Sequence, residues 1–327
     1  MSALTDILYA NLSYIAVPVF FQISLFLFYF NSEKSRLKYF LQKRLPKLIS
    51  LYLFWLTSKI VWDVLITGES GAVRMATRSL KGFLEMIVSG GNSPFYFFFS
   101  LIFITTLAEI FILVVGRLSN PLDKARVYYY SLFGSCVLIF VFSIVGSNTA
   151  TDSPVKQVEF LSTLSSLAQW NYNPLNFLPY IFTAAIVAQE FKEQNIRKMI
   201  LQIQSKLYFL ATSFLAFTLL EWYVLEDLIQ YSRISLVLGS WLLLYLAILS
   251  TRKPASIITF ISNCSLGLYA FHLLFTHVLF SHDKIILSAL SQIIPGLDIM
   301  AEFFIALIGS IVLTLVFRKS KWLKNFA

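Results

Sequence analysis

The sequence is short of charge: only 13% of its 327 residues are Asp, Glu, Lys or Arg, against 57% apolar residues, 17% aromatics and a mean hydropathy of +0.74. That leaves too little polar surface to coat a globule, which excludes a soluble fold and makes the lipid bilayer the solvent. Cysteine is scarce too. Cys136 and Cys264 both fall inside apolar stretches, so neither a disulfide framework nor a metal cluster is indicated, and both read as small core residues. Of three histidines, His272 and His277 stand five residues apart and point about 140° away from each other on a helix, while His282 falls in a loop, a poor set for a metal. A Gly-rich phosphate loop, a Ser/His/Asp series, metal-ligand spacing, an obvious internal repeat and a low-complexity tract are all missing. Met1–Asp6 has no cationic segment and no small-residue cleavage site, so no secretory signal is expected there.

What is present is a series of nine apolar stretches of about 20 residues, at Ile7–Phe30, Leu45–Ile66, Pro94–Gly116, Val127–Gly146, Pro174–Phe191, Ser205–Leu225, Tyr231–Ser250, Ile257–Phe280 and Ile299–Phe317. Several are continuously apolar and strand-like alternation is absent, so helices rather than a barrel satisfy the backbone in lipid. The expected fold is all-α, a polytopic transmembrane helical bundle of about nine spans, with residues 1–327 forming a single domain.

The basic residues set the orientation. The loops after spans one, three, five and seven with the first turns of the spans that follow them, together with the tail, hold 19 of the 26, from Lys34, Arg36, Lys38, Lys43, Arg44 and Lys47 through to Arg318, Lys319, Lys321 and Lys324. The opposite loops carry acids at Asp152, Glu159, Glu226 and Asp227, so the basic side is cytoplasmic and the N-terminus begins outside. The net charge of +9 is then a matter of topology and anionic headgroups, and no nucleic-acid partner is expected. The longest loops, Thr67–Ser93 and Ser147–Asn173, lie on the outer face. Within the first, Leu80–Ser89 reads as a short interfacial or re-entrant helix before the break Gly90-Gly91-Asn92-Ser93-Pro94. These loops either line a substrate entrance or merely connect spans.

Chemistry must come from polar residues inside the spans, where they are costly. In span eight, Ser262, Ser265, Tyr269, His272 and Thr276 are spaced by three or four and fall within an arc of about 80° on one helix face. Such a stripe is either hydrogen-bonded glue between helices or the wall of a cavity in which His272 serves as acid or base. Asn11, Tyr14, Pro18 and Gln22 form a second stripe in span one, with Ser24 looking elsewhere and Pro18 expected to kink the helix. Thr105 and Glu109 lie one turn apart in span three, the carboxylate being either paired with a cytoplasmic cation or catalytic.

Four segments carry a family resemblance. Val17-Pro18-Val19-Phe20-Phe21-Gln22-Ile23-Ser24 resembles the "VPLFFxxSG" stretch of the acyltransferase-3 family of bacterial integral-membrane acyltransferases, and Tyr39–Lys47 resembles its basic cytoplasmic run. Asn176–Phe182, which contains Pro179 and Tyr180, is similar to its "lPYFxxG" span, and Ile261–His272 to its "ISxxSxGIYxxH" signature. Three departures stand out: Leu25 replaces a glycine, Lys47 an arginine, and Phe95-Tyr96-Phe97 a "WFL" cluster.

The resemblance implies a multi-pass protein of the bacterial inner (cytoplasmic) membrane with a cytoplasmic C-terminus. It implies transfer of an acyl group, commonly acetyl from cytoplasmic acetyl-CoA, to a hydroxyl of a sugar or lipid-linked glycan, with no bound cofactor. Arg44 and Lys47 are then the donor-binding residues for the CoA phosphates, unless they are plain topogenic anchors. Gln22, Glu109, Tyr180, Ser262, Ser265 and Tyr269 are expected to line the cavity, roofed by spans one and eight, with His272 as the remaining intramembrane base. The family's own catalytic histidine lies in a first span, within an Arg-x10-His pattern, that this sequence does not contain. The chain is therefore expected to lack that span and to be truncated or degenerate as written. Two readings from other classes stand beside it: a transporter or flippase of a lipid-linked glycan, against which no inverted repeat is seen, and a non-catalytic scaffold of an envelope-synthesis complex.

Overall fold

Every one of the nine apolar stretches is occupied by helix. The computed structural model describes residues 3–31, 36–68, 70–147, 166–167, 170, 172–193, 196–225, 228–250, 253–282 and 297–326. Asp152, Glu159, Glu226 and Asp227 lie outside the described residues, as do the side chains of Thr276, His277 and His282. The described residues contain no strand. In chain order the helices are α1 (Ala3–Phe30), α2 (Arg36–Tyr39), α3 (Leu45–Trp62), α4 (Gly71–Arg78), α5 (Leu80–Val88), α6 (Tyr96–Val115) and α7 (Pro121–Ser147). They continue as α8 (Leu178–Glu193), α9 (Ile196–Val224), α10 (Ile234–Leu249), α11 (Ser256–Asn263), α12 (Ser265–His282) and α13 (Leu297–Lys319).

Six helical segments are long and apolar enough to cross a bilayer, and a seventh is added if α11 and α12, bent by 66° at their junction, form one broken span. The helices α8 and α10 have 16 residues each, a length of about 24 Å at 1.5 Å per residue. A 3-10 turn at Pro174–Phe177 extends α8 at its N-terminal end. Apolar side chains turned outward mark the lipid-facing surface: α1 buries Phe21, Gln22, Leu25 and Phe28 while Phe20, Ile23 and Leu27 are exposed, a stripe with helical period. The chain is a multi-pass helical membrane protein.

The helices gather into two compact units, one comprising Met1–Leu48 and Phe99–Ser250, the other Ile49–Phe98 and Thr251–Ala327. In the first, α1 packs along α8 and α10, α9 packs on α10, and α7 on α8. The helix α1 runs on through Pro18, as spans tolerate when neighbouring groups meet the freed carbonyl. Its core near the ends of α8 and α10 holds Val187, Ile203, Leu210, Leu244 and Tyr245. Glu190 ties the same region together, accepting from Lys206 and, at 2.6 Å, from the Tyr245 hydroxyl.

In the second unit the main contact is α12 against α13. Bilayer solvent gives helices no hydrophobic reason to associate, so close approach through small residues does that work. A Cβ on Gly267 would lie 2.1 Å from Thr314 Oγ1, and one on Gly309 would lie 2.4 Å from the Phe275 ring. Thr314 is fully buried and its hydroxyl is committed to the Ser310 carbonyl at 2.6 Å, so it has little room to yield. Gly267→Ala is expected to cost about 1–3 kcal/mol by overpacking, read as a lower thermal unfolding midpoint of the purified protein in detergent. Adding Thr314→Ala should restore most of it.

Candidate active site

Two of the sequence motifs meet through a side chain. Residues Phe40–Arg44 form a π-helical turn, a geometry that adds a residue to the turn and recurs at functional positions. At its end Arg44 reaches α1, where Nη2 donates to the Ser24 carbonyl at 3.2 Å and to the Ser24 hydroxyl at 3.3 Å. Its guanidinium lies 4.7 Å from the centre of the Phe28 ring, a cation–π contact. Ser24, which the stripe in span one leaves aside, thus faces the basic run. Arg44 is half-buried, and its Nε has no hydrogen-bond partner among the described residues. Lys47 is exposed. Together they give the end of the bundle one oriented guanidinium and one solvated ammonium.

The stripe in span one itself faces α10 and the segment before it. Gln22 is fully buried and donates through Nε2 to Ser240 Oγ at 3.3 Å, and the Tyr14 ring meets Tyr231 with centroids 4.8 Å apart. On α6, Thr105 and Glu109 are buried on one face. On α8, Tyr180 is fully buried with its ring 6.5 Å from that of Phe21. Gln22 Oε1, Thr105 Oγ1, Asn176 Oδ1 and the Tyr180 hydroxyl have no hydrogen-bond partner among the described residues. Leaving such a group unsatisfied costs about 1–3 kcal/mol, so each of the four is a buried group with a hydrogen bond still to offer.

Sequence reasoning missed a densely bonded polar cluster in this unit. Arg233, fully buried, donates from Nε to Glu221 Oε2 at 3.0 Å, from Nη1 to the Leu228 carbonyl at 3.2 Å, and from Nη2 to Asn11 Oδ1 at 3.0 Å and Ser235 Oγ at 3.1 Å. Glu221 also accepts from the Ser235 backbone N–H at 2.9 Å and from its hydroxyl at 2.5 Å, which caps the start of α10. The available signal was a carboxylate near the end of one span and a guanidinium at the start of the next, on the same side of the bundle.

In the second unit the stripe of span eight is divided. The break at Cys264, whose N–H is shared by the Phe260 and Ile261 carbonyls, turns the chain by 66°. Spacing of three and four keeps residues on one face only while the helix is continuous, so Ser262, on α11, is exposed and separated from Ser265, Tyr269 and His272 on α12. Thr276 lies outside the described side chains. The Tyr269 ring is held between Phe97 and Phe98, at centroid distances of 5.1 and 5.7 Å, and its hydroxyl donates to the Pro94 carbonyl. That carbonyl follows Gly90, Gly91 and Asn92, three residues in succession at φ of +60°, +68° and +54°, a turn that glycine makes cheap. The Phe95-Tyr96-Phe97 cluster therefore supplies part of the seat of Tyr269, and Phe95 continues into Trp55 and Phe271.

His272 is half-buried one turn beyond Tyr269, with ring centroids 5.8 Å apart. Its Nδ1 lies 3.2 Å from the Leu268 carbonyl. A carbonyl oxygen only accepts, so Nδ1 carries the proton of that bond and Nε2 of the neutral ring keeps its lone pair. The site residues expected from the sequence thus fall in two groups: Gln22, Arg44, Lys47, Glu109 and Tyr180 in the first unit, and Ser262, Ser265, Tyr269 and His272 in the second.

No curated protein and no solved structure matches the chain. A family model does, that of Acyl_transf_3, described as an acyltransferase domain, over residues 2–319. With nearly its whole length covered, this multi-pass helical protein belongs to the acyltransferase-3 family.

Proposed function

We propose that this membrane acyltransferase moves an acyl group, acetyl in the first instance, from acyl-CoA to a hydroxyl of a cell-surface sugar or lipid-linked glycan at the bacterial cytoplasmic membrane. Beyond family membership, one observation carries the reading: His272 has Nδ1 engaged by a main-chain carbonyl and Nε2 left as a proton acceptor. In the reaction the acceptor hydroxyl oxygen attacks the thioester carbonyl while Nε2 takes its proton. The C–S bond then breaks, and the thiol leaves with a proton returned from the imidazolium.

Arg44 and Lys47 are assigned to the CoA phosphates, Arg44 because contacts with Ser24 and Phe28 fix its plane before the donor arrives. The basic loops then lie in the cytoplasm, where CoA is found, and the C-terminus with them. The test is transfer of radiolabelled acetyl from acetyl-CoA to the glycan or lipid fraction of membranes containing the chain. Arg44→Ala is expected to raise KM for acetyl-CoA about tenfold or more, on the scale of a lost charge-assisted bond, with Arg44→Lys in between. An unchanged KM would take Arg44 out of the donor site, and no labelled product from wild-type membranes would defeat the assignment of donor and acceptor.

A further inference from the structure

Three cations stand on the wrong side of this bundle for a topological role. Arg74, Arg78 and Lys81 lie between the second and third apolar stretches, opposite the basic loops, where a bias toward lysine and arginine is not called for. All three line one groove, of about 640 Å³, between α4 and α5, together with Gly71, Met75, Ser79, Gly82 and Glu85.

The groove is built by local sequence. Ser79 caps α5 by accepting from the Gly82 N–H at 3.0 Å. A Cβ on Gly82 would lie 2.3 Å from the Met75 carbonyl oxygen, so only glycine lets the two helices close this tightly. Arg74 and Arg78 are one turn apart on α4, both exposed and without an ion pair among the described residues. Lys81 makes only a long contact with Glu85, 3.8 Å between two solvent-facing groups, worth little in water. The groove thus has surplus positive charge. Val73, Leu80, Phe83 and Leu84 are exposed apolar neighbours, and Leu80, Phe83 and Leu84 share one helix face. An exposed apolar face beside a basic one is the pattern of a helix lying in the headgroup layer, where long basic side chains extend toward phosphate.

We propose that the α4–α5 groove is a binding site for the phosphate of an anionic membrane lipid in the outer leaflet, Arg74 and Arg78 gripping it and Lys81 adding charge. A planar guanidinium suits a phosphodiester through paired N–H donors. A membrane lipid rather than a soluble phosphate is the occupant because the flanking apolar residues hold the groove at headgroup depth. The hairpin is tied to the rest of its unit: the Tyr52 hydroxyl donates to the Ile87 carbonyl, and α5 leads directly into the Gly90–Pro94 turn on which Tyr269 is seated. A bound lipid would thereby hold the turn that positions Tyr269.

The test uses the full-length protein in phosphatidylcholine vesicles doped with a photoactivatable phosphatidylglycerol, with cross-linked peptides quantified by mass spectrometry. Labelling of residues 71–85 is expected to exceed that by a matched phosphatidylcholine probe and to fall about twenty-five-fold in the Arg74→Ala/Arg78→Ala double variant, taking each cation as worth about fivefold at a charged surface. Labelling of the basic tail should not change. Glu85→Gln, which removes the groove's one carboxylate, should raise labelling, and this arm stands even if the double variant folds poorly. Equal labelling by the two probes, no loss in a folded double variant, no gain in Glu85→Gln, or equally effective competition by soluble glycerol 3-phosphate would each overturn the proposal.

Discussion

In membranes carrying His272→Ala, acyl transfer is expected to fall by about 10²–10⁴-fold in kcat, the usual contribution of a positioned acid–base group, with KM for acyl-CoA little changed. The expectation follows from the ring's hydrogen bonding. With Nδ1 donating to the Leu268 carbonyl, the tautomer is fixed and Nε2 is the basic nitrogen. A structural explanation is separable, because His272→Asn can keep a donor near the Leu268 carbonyl while offering no basic nitrogen. If His272→Asn is as inactive as His272→Ala while its thermal midpoint stays at the wild-type value, proton transfer is the function lost. If His272→Asn retains activity, His272 only braces its helix, and the base lies elsewhere.

The spans were readable because lipid demands that each crossing satisfy its own backbone, which forces continuous apolar runs of bilayer length. Such a run says nothing of a main-chain break. The stripe from Ser262 to His272 has the right spacing for a continuous helix, yet the turn at Cys264 separates Ser262 from the rest. Spacing served well where the helix is intact: Asn11, Tyr14 and Gln22 on α1 do share a direction, meeting Arg233, Tyr231 and Ser240. Ser24 was rightly set off that face, but its bond to Arg44 depends on the π-helical turn at Phe40–Arg44, which hydropathy does not register. The seat of Tyr269 likewise depends on three successive left-handed residues. Gly90-Gly91-Asn92 announced a break, not the side chain that would rest on it.

Glu221 and Arg233 escaped for a related reason. Near a span end an ionisable side chain ordinarily extends toward headgroups, so neither residue looked out of place, although both are buried. Their removal supplies the largest stability effect expected in the protein. Glu221→Ala strips a buried guanidinium of its counter-charge and frees the Ser235 N–H at the start of α10, and breaking such a pair costs about 3–5 kcal/mol. Arg233→Met should cost less, because Glu221 keeps both bonds from Ser235. The double variant Glu221→Leu/Arg233→Met leaves no unpaired charge. The Ser235 N–H and hydroxyl lose Glu221 in Glu221→Ala as well, so the two variants differ by a buried unpaired guanidinium in one against the Leu228 carbonyl and Asn11 Oδ1 in the other, neutral acceptors that cost less than a charge. Unfolding free energies of the purified protein in mixed detergent should therefore show a double variant more stable than Glu221→Ala, with strong non-additivity between the two sites. Additive losses would mean that the two charges do not meet. In that case the four-way grip of Arg233 on Glu221, Leu228, Asn11 and Ser235 is not what joins α1, α9 and α10 at this end of the unit.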